Sequence, residues 1–414
     1  MEKKECFIEK KKVAVLGASS ESIYAIKKAK AYGAHVIALD GSNRAEGLKY
    51  ADESYVIDIR DSNAVFSILD KKNIKAVLPV PIGRMLTLTG QVNERYNLIG
   101  INSHVADFCT DKWFFHNTLN DMGLRCIDCY LLNSETVKIC QKKFSNNKSL
   151  FPVIVKPRFG AGSRSVTVFN DFIAFNNGIK KLDLKNEDFI IEKLVVGSEF
   201  GVDGVVINGK FKLILLRKKY LSALPYRQCI AYEAVDDLSV QYKNFSSNLC
   251  FQLQSIADSI NLETCIIHAD IIRVGNTDTP FIIEMSARPS GHYLHNLFTP
   301  MASGCDYVGN YIRFLLDRNT NVNKLFESSN KKNMMIHYFY LSSGTVTNLP
   351  SAENNLNISC LKKYECNIQL GDYLEKVTDG HSIMGRGYFI LEGNTESMLN
   401  AAGQILHSFQ IQKG

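Results

Sequence analysis

The stretch from Cys265 to His292 constrains the fold more than any other part of the chain. Two segments that alternate apolar and polar residues flank a Gly-Asn-Thr-Asp-Thr-Pro turn. A period of two predicts a pair of β-strands, each with one polar and one apolar face. A turn centred near Thr277 puts these residues on the polar face: His268, Asp270, Glu284, Ser286 and Arg288. The predicted apolar face carries Ala269, Ile271, Phe281, Ile283, Met285 and Ala287.

In this register Asp270 lies opposite Glu284. Two carboxylates directly opposite each other repel and destabilise the strand pair. A divalent cation between them removes the repulsion, and Mg2+ prefers a few carboxylates together with phosphate oxygens. Arg288, further along the same face, has the geometry to hold an anion with two hydrogen bonds. A purely structural acidic pair on a solvated sheet is the alternative that the hairpin alone leaves open.

The composition is that of a globular protein and argues against two classes of partner. The chain has 414 residues, 45% of them hydrophobic and 22% charged, and a formal net charge of +6. This length accommodates roughly two to four domains. Without a basic stripe, a stacking motif or a long apolar run, neither a nucleic acid nor a membrane is expected as a partner. The 11 dispersed cysteines indicate a reduced, cytoplasmic protein.

The first part of the chain alternates strands with helices, which predicts a parallel sheet. Apolar strands are expected at 12–16 and 35–40, with later strands near 54–61 and 76–80 and a helix at 64–71. A dinucleotide-binding fold is the alternative, but only Gly17 of a GxGxxG pattern is present. Asp40 is expected to cap its strand or to line a pocket.

The next segments carry two lysines and a glycine-rich turn. A helix is expected over 110–123, with Thr110 as its cap, Gly123 as its stop and Lys112 in its first turn. A lysine there faces the positive end of the helix dipole, so binding an anion would explain it. A strand over 151–157 brings Lys156 to its end, before a glycine-rich turn whose N–H groups can fold over phosphates.

Further strands follow, with acids at their ends. Glu192 ends one strand and Glu199 begins the next, and Asn208-Gly209 predicts a hairpin turn. We expect a loop over a cleft at 218–234 and a helix at 249–261. Beyond Leu316 short strands and an amphipathic helix at 395–409 predict a small α+β domain. Cys126 and Cys129 have CxxC spacing, which alone is weak evidence for zinc or redox chemistry.

Taken together, these segments resemble the ATP-grasp superfamily, in particular its carboxylate–amine ligases and the amino-acid ligases that make dipeptides. The resemblance rests on five segments in order: CTDKWFFHNTL, VIVKPRFGAGSRSV, FIIEKLVVGSEF, IIEMSARPSG and the preceding α/β segment from VLGASSES to VIDIRD. It implies a parallel pre-ATP-grasp α/β domain at 1–105, an ATP-grasp domain at 106–315 split near 188, and the α+β C-terminal domain at 316–414.

The resemblance also implies roles for individual residues. Lys112 and Lys156 would contact ATP phosphates, and Lys156 and Arg288 would be catalytic. The flap closing over the phosphates would use Gly160, Ala161, Gly162, Ser163 and Ser165. Glu192 and the backbone of Lys193 and Val195 would hold adenine, and Glu199 the ribose. Mg2+ would bind to Asp270, Glu284 and Ser286. The family often has glutamate at the position of Asp270. At the position of Ser286 it usually has asparagine, which is a stronger ligand.

The implied activity is ATP-dependent ligation of a carboxylate and an amine through an acyl phosphate, with Arg288 gripping the carboxyl substrate. Further pocket candidates are Arg217, Lys219, Arg227, His292 and His295, each of which is equally explained as a surface group. The alternatives are a carboxylase or synthetase acting through carboxyphosphate, and a non-catalytic nucleotide-binding protein. Dimerisation is common in the superfamily, so a homodimer is a possible assembly.

Overall fold

The computed structural model of the protein describes most of the chain. The described residues are 10–83, 85–160, 165–223, 227–275, 277–328, 331–350, 358–378 and 380–413. The flap residues Ala161, Gly162 and Ser163, which the sequence predicts to bind nucleotide, lie outside this set.

A four-stranded parallel sheet opens the chain, as the alternation of strands and helices predicts. Its strands lie in the order β3-β2-β1-β4. They span Lys12–Leu16 (β1), His35–Asp40 (β2), Glu53–Val56 (β3) and Ala76–Val77 (β4). The helices are Ile23–Ala31 (α1), Ser62–Leu69 (α2) and Leu86–Arg95 (α3). Asp40 accepts hydrogen bonds from the N–H groups of Ala18 and Ser42 at 2.7 and 2.8 Å, so it orders the loop after β1.

Two consecutive helices lead out of this sheet, Ser103–Thr110 (α4) and Lys112–Asp121 (α5). The prediction that Thr110 caps the second helix is wrong, because Thr110 is the last residue of α4. Asp111 is the cap, and its Oδ1 accepts from the N–H groups of Trp113 and Phe114 at 2.9 and 3.2 Å. Gly123, at φ +70°, follows the end of α5, as predicted.

A small antiparallel sheet in the order β5-β8-β6-β7 comes next. Its strands are Cys129–Leu132 (β5), Val153–Pro157 (β6), Thr167–Phe169 (β7) and Phe189–Lys193 (β8). Two helices cover it, Val137–Ser145 (α6) and Phe172–Ile179 (α7). Their buried phenylalanines, Phe144 and Phe175, pack 5.1 Å apart between ring centroids. Lys156 and Glu192 therefore lie on adjacent strands of one sheet.

The large eight-stranded sheet has the order β13-β12-β9-β10-β11-β14-β18-β16. Its first five strands in the chain are Gly197–Ile207 (β9), Lys210–Leu221 (β10), Cys229–Val235 (β11), Cys265–Val274 (β12) and Pro280–Ser286 (β13). The predicted turn at Asn208-Gly209 joins β9 to β10, and both of its residues have positive φ. Helix Lys243–Ser259 (α8) packs Leu249, Leu253 and Ile256 against this sheet, and it begins before the predicted residue 249.

The register of β12 and β13 confirms the predicted polar face. Asp270 pairs with Glu284 and His268 with Ser286. A bulge after Asp270 pairs Ile271 with Ile282, which shifts the alternation by one residue. The predicted apolar face is therefore wrong in part. Ile282 is buried in the core with Met285 and Ala287, whereas Phe281 and Ile283 are only half-buried.

The prediction of a loop over 218–234 is also wrong. Its two ends lie in β10 and β11, which pair antiparallel with Arg217 opposite Ala234. Between the two strands, residues 222–223 and 227–228 belong to neither strand, and residues 224–226 lie outside the described set. The candidate pocket residues Arg217 and Lys219 thus lie on strand β10 and not in a loop.

The rest of the chain extends the same large sheet. A π-helical turn Leu294–Phe298 leads into helices Thr299–Ser303 (α9), Tyr307–Leu316 (α10) and Val322–Leu325 (α11). Strands Met334–Tyr338 (β14), Leu361–Cys366 (β16) and Gly387–Glu392 (β18) join the sheet through the pairing of β14 with β11. The predicted C-terminal α+β segment therefore shares its sheet with the middle of the chain, and the domain boundaries stay a prediction.

The remaining elements cover this end of the sheet. A three-stranded sheet contains Gly344–Asn348 (β15), Tyr373–Leu374 (β17) and Gln410–Gln412 (β19). The helices are Gly380–Met384 (α12) and Thr395–His407 (α13). Helix α13 corresponds to the amphipathic helix predicted at 395–409, and its Met398, Ala402 and Ile405 pack into the core with Phe389 of β18.

His337 on β14 is buried in this core. Its ring stacks on Phe389 with centroids 5.1 Å apart and planes 7° apart. Burial lowers the pKa of His337 to about 4. A histidine held neutral in the folded state makes stability depend on pH, because the unfolded chain takes up its proton more readily.

We predict that acidification from pH 7 to pH 5 destabilises the protein partly through His337. The unfolded imidazole binds its proton near pH 6.5 and the folded one near pH 4. The contribution is therefore fully present above pH 6.5 and is lost toward pH 4, by about 1.4 kcal/mol per pH unit. Denaturant unfolding across this range should show a smaller pH slope in His337→Phe than in wild type. His407→Phe, at an exposed position, is the control, and equal slopes in all three proteins would refute the assignment.

Candidate functional site

Lys112 is the first residue of α5, as the sequence predicts. Its Nζ donates to the carbonyl of Gly160 at 2.7 Å, and its backbone N–H donates to the carbonyl of Arg158 at 3.0 Å. Burial lowers the pKa of Lys112, opposed by the negative charge of Glu284. The lysine thus joins the start of the predicted flap to the acidic hairpin.

Lys156 and Glu192 form a buried ion pair between β6 and β8. Lys156 Nζ lies 2.5 Å from Glu192 Oε2, and both side chains are less than one tenth exposed. His116 Nδ1 and Arg125 Nη1 lie 2.9 and 3.0 Å from Glu192 Oε1. Burial alone would raise the pKa of Glu192, but Lys156, His116 and Arg125 together hold it far below its usual range.

This cluster qualifies the predicted role of Glu192 in holding adenine. A carboxylate has about four acceptor positions, and the three neighbours leave room for one more donor. Sequence reasoning missed both His116 and Arg125. His116 lies in the segment CTDKWFFHNTL, to which only Lys112 was assigned a role, and Arg125 lies outside every quoted segment. Arg125 also donates through Nη2 to the carbonyl of Ile282, so it ties β8 of the small sheet to β13 of the large one.

His116, Cys129 and Glu192 bring three ligand atoms within 4.8 Å of one another. Metal binding is disfavoured here because Arg125 and Lys156 already neutralise Glu192. Burial raises the pKa of the Cys129 thiol, with Glu192 adding to the effect, so the thiolate that a metal needs is suppressed. Cys126, the other half of the CxxC pair, is exposed.

Asp270 and Glu284 face each other on adjacent strands in different electrostatic surroundings. Lys219 Nζ on β10 lies 2.6 Å from Asp270 Oδ1, and His268 Nε2 lies 3.6 Å from the same oxygen. Burial would raise the pKa of Asp270, but Lys219 and His268 outweigh it and hold the pKa at about 2. Glu284 is half-buried, and within the described residues its carboxylate forms no hydrogen bond or ion pair.

The residues on this hairpin fit a Mg2+ ion. Asp270 is held ionised, one of its oxygens stays clear of Lys219, and Glu284 has no competing partner. Hard oxygen donors of this kind suit Mg2+, which keeps part of its water shell. Ser286, the third predicted ligand, is opposite His268 in the strand register. It lines a cleft together with Glu284. Its hydroxyl is a weaker donor than a carboxylate, so water is expected to supply much of the coordination.

One cleft brings several of the predicted residues together. It has a cavity volume of about 50 Å³ and is lined by Lys112, Gly160, Glu284, Ser286 and Arg288 among others. The apolar part of its wall comes from Phe108, Phe115 and Met285. Residues from α5, the flap and the end of β13 therefore meet at one place although they are far apart in sequence.

Arg288 reaches this cleft from just beyond β13. Its Nη1 donates to the carbonyl of Pro289 at 2.8 Å. Its Nε is buried and has no hydrogen-bond partner among the residues that the structure describes. A buried guanidinium donor without an acceptor is costly unless a ligand supplies one, and a carboxylate or phosphate group would do so.

Arg217 is placed differently from the other candidates for substrate binding. It is fully buried on β10, where Nη2 donates to Asp203 Oδ1 at 2.8 Å and the guanidinium lies 5.1 Å from the ring centroid of Tyr232. Asp203 Oδ2 also accepts from Thr299 Oγ1 at 2.5 Å. Nε and Nη1 of Arg217 have no partner within the described part of the chain.

The following predicted residues are not among the described residues that line this cleft. Arg227 Nη2 lies 2.7 Å from Glu199 Oε1 and is half exposed, so the candidate ribose ligand is paired with an arginine. His295 is buried, with Nδ1 2.5 Å from the carbonyl of Ser290. Lys193 Nζ donates to the carbonyl of Ser149 at 2.6 Å, and Val195 lies in the connection between the two sheets. Ser165, on the far side of the flap, has a left-handed φ of +56°.

We predict that Asp203→Asn destabilises the protein strongly, because it leaves the fully buried Arg217 without its charged partner. Breaking a buried ion pair from one side costs about 3–5 kcal/mol. The double variant Asp203→Asn/Arg217→Met removes both charges and should recover part of that loss. Denaturant unfolding of the two single variants and the double variant measures the coupling. Additive losses would mean that the two side chains do not depend on each other.

The chain matches two family descriptions. Residues 149–295 match the ATP-grasp domain, and residues 13–103 match the PylC-like N-terminal domain. These ranges contain β6 to β13 and the parallel sheet, respectively. No curated protein matches the chain in sequence. No helix among the described residues is long and apolar enough to cross a membrane.

Solved structures share the fold along nearly the whole chain. An L-amino acid ligase from Bacillus licheniformis has a TM-score of 0.77 at 15% identity, covering 98% of this chain and 99% of its own. A phosphoribosylglycinamide synthetase from Anaerococcus prevotii has 0.72 at 17%, covering 98% and 100%. The biotin carboxylase domain of a 2-oxoglutarate carboxylase from Hydrogenobacter thermophilus, solved with MgADP and bicarbonate, has 0.66 at 17%, covering 97% and 90%.

At such identities the similarity establishes the fold and leaves the substrate open. The matches to two domain families agree with the order of parallel and antiparallel sheets described above. The chain contains an ATP-grasp domain at residues 149–295, which a PylC-like N-terminal domain precedes at residues 13–103.

Proposed function

We propose that the protein is an ATP-dependent carboxylate–amine ligase that forms an amide bond through an acyl phosphate and releases ADP and phosphate. The observation that carries the proposal is the cleft at which Lys112, Gly160, Glu284, Ser286 and Arg288 meet, with Asp270 opposite Glu284. Two cations and a pair of carboxylates are groups that a phosphoryl transfer to a carboxylate requires.

The reaction has two steps. In the first, a carboxylate oxygen of the substrate attacks the γ-phosphorus of ATP, the bond to the bridging oxygen breaks, and ADP leaves. In the second, the amine nitrogen attacks the acyl carbon, the phosphate leaves with its bonding electrons, and the amine loses a proton. Neither step needs a nucleophile from the protein, so the protein contributes positioning and charge.

Each charged residue has a place in this scheme. Lys112 and Lys156 neutralise the phosphate oxygens, while Glu192 holds Lys156 in position and uses its remaining acceptor capacity for the adenine amino group. Glu199 takes the ribose. Arg288 presents its unpaired Nε to the carboxyl substrate and then to the acyl phosphate. The flap that begins at Gly160 shields the acyl phosphate from water.

Asp270, Glu284 and Ser286 would hold Mg2+. When bound, the ion neutralises charge on the phosphate oxygens and aligns them. Lys219 keeps Asp270 ionised, and because Nζ lies 2.6 Å from Oδ1 the second carboxylate oxygen is left for a ligand. Arg217, Arg227 and His292 are proposed to shape the pocket for the two substrates around this centre. Assembly as a homodimer and a cytoplasmic location stay predictions.

A carboxyphosphate-forming reaction is the second candidate. It is favoured by the similarity in fold to a domain solved with bicarbonate. The same lysines and acids would serve, and the difference lies in the acceptor. Bicarbonate-stimulated ADP release in the absence of any other carboxylate would favour this reaction.

We predict that the purified protein forms ADP and phosphate from ATP when a suitable carboxylate and amine are supplied together. The measurement is phosphate release across a panel of amino acids and other carboxylates tested in pairs, with and without bicarbonate, followed by identification of the nucleotide product. ADP supports an acyl phosphate. AMP and pyrophosphate would contradict it, and ATP binding without turnover across the panel would point to a non-catalytic nucleotide-binding protein.

We predict that Glu284→Gln lowers kcat by at least about 100-fold, because the amide removes a negative charge and a strong oxygen ligand from the centre of phosphoryl transfer. The fold should be kept, since the carboxylate forms no ion pair within the described residues. Glu263→Gln makes the same change at an exposed position and is the control. Normal turnover in Glu284→Gln would remove this residue from the metal site.

A further inference from the structure

Glu21 lies far from the hairpin in sequence but reaches the segment that follows Arg288. It belongs to a short 3-10 helix, Ser20–Ser22, in the loop after β1. Its Oε1 accepts a hydrogen bond from the backbone N–H of His292 at 2.5 Å. A Cβ on Gly291 would lie 2.9 Å from Glu21 Oε2, so glycine at this position lets the carboxylate approach the backbone.

We propose that Glu21 is a positioning residue that fixes Arg288 for the substrate carboxyl group from the N-terminal side of the molecule. The inference rests on the proposed function, because it assigns Glu21 its effect through Arg288. It adds a residue of the N-terminal α/β segment. The resemblance implies site residues only in the other four segments.

The backbone that Glu21 holds is strained. His292 and Tyr293 have φ values of +62° and +61°, and two successive non-glycine residues in the left-handed region persist only where neighbours fix them. Tyr338 on β14 donates its hydroxyl to the carbonyl of His292 at 2.7 Å. On the other side Gly380 leaves room for the His292 ring, since a Cβ there would lie 2.8 Å from its Cε1.

Arg288 depends on this turn for its position. Three residues separate it from His292, and its Nη1 donates to the carbonyl of the adjacent Pro289. The guanidinium therefore has no side-chain partner among the described residues to orient it directly. A relaxed turn at 291–293 would move the strand end and with it the donor that faces the cleft.

The charge of Glu21 indicates more than a structural hydrogen bond. Burial raises the pKa of Glu21, and the N–H groups of His292 and Tyr293 and the positive charge of Arg288 offset part of that effect. A buried carboxylate is costly, and a neutral amide or hydroxyl would accept the same N–H bond at lower cost. The positive charge of Arg288 favours the ionised form of Glu21, so the two side chains act on each other across the turn.

The test compares Glu21→Gln with Glu46→Gln. Both variants remove one carboxylate charge from the N-terminal domain, and Glu46 also acts electrostatically on Tyr293. Glu46 is exposed and its side chain forms no hydrogen bond to the described residues 288–293, so Glu46→Gln controls for charge alone. In Glu21→Gln we expect kcat/KM for the carboxylate substrate to fall about 10- to 100-fold, with KM for ATP unchanged.

Hydrogen exchange gives a second readout that does not require turnover. Amides in the peptide covering 290–298 should exchange at least about tenfold faster in Glu21→Ala, which removes the acceptor, than in wild type or Glu46→Ala. Unchanged exchange would overturn the inference. Faster exchange with wild-type kcat/KM would also overturn it, because Glu21 would then be only structural. A wild type that turns over no substrate refutes the proposed function instead, and exchange alone then decides whether Glu21 holds the turn.

Discussion

The pairing of β12 with β13 is the interaction on which the site depends, because it puts two carboxylates face to face in a half-buried position. The register alone would destabilise the sheet, since Asp270 and Glu284 repel each other. Lys219 on β10 relieves the repulsion from the side of Asp270. Glu284 has no such partner within the described residues, so the pair retains an excess of negative charge toward the cleft. That excess is what makes the hairpin a candidate cation site.

The two halves of the site use buried charge in different ways. On the small sheet, Glu192 is surrounded by Lys156, Arg125 and His116, and the arrangement is nearly saturated. It fixes the direction of Lys156 and leaves little acceptor capacity. On the large sheet the acids and Arg288 are only partly paired, so they can exchange neighbours for ligand atoms. A rigid half that orients a lysine and an unsaturated half that receives a ligand together suit phosphoryl transfer, in which charge must be ready before the reaction begins.

Local patterns predicted a large part of this arrangement, and the limits of the prediction are physical. Alternation gave the Asp270–Glu284 register, and the Asn208-Gly209 turn gave the β9–β10 hairpin. The bulge at Ile283 was missed because one inserted residue changes the face of its neighbours without changing the composition. The strands at 218–234 were hidden by the turn residues between them, and Thr110 was mistaken for a cap because α4 and α5 follow each other directly. Arg125, Asp203 and Glu21 form contacts across long sequence separations, which periodicity does not report.

Arg125 shows why such distant contacts matter for the site as a whole. Its Nη1 lies 3.0 Å from Glu192 Oε1, its Nη2 reaches the carbonyl of Ile282, and its guanidinium lies 4.6 Å from the ring centroid of Phe281. Ile282 is two residues from Glu284 and sits at the bulge that sets the acidic register. One buried side chain therefore joins the lysine side of the cleft to its acidic side. Both contacts of Arg125, with Glu192 and with the carbonyl of Ile282, are buried. A shift of either sheet would therefore leave a donor or acceptor unpaired. This energetic cost keeps Lys156 and Glu284 in a defined relation to each other.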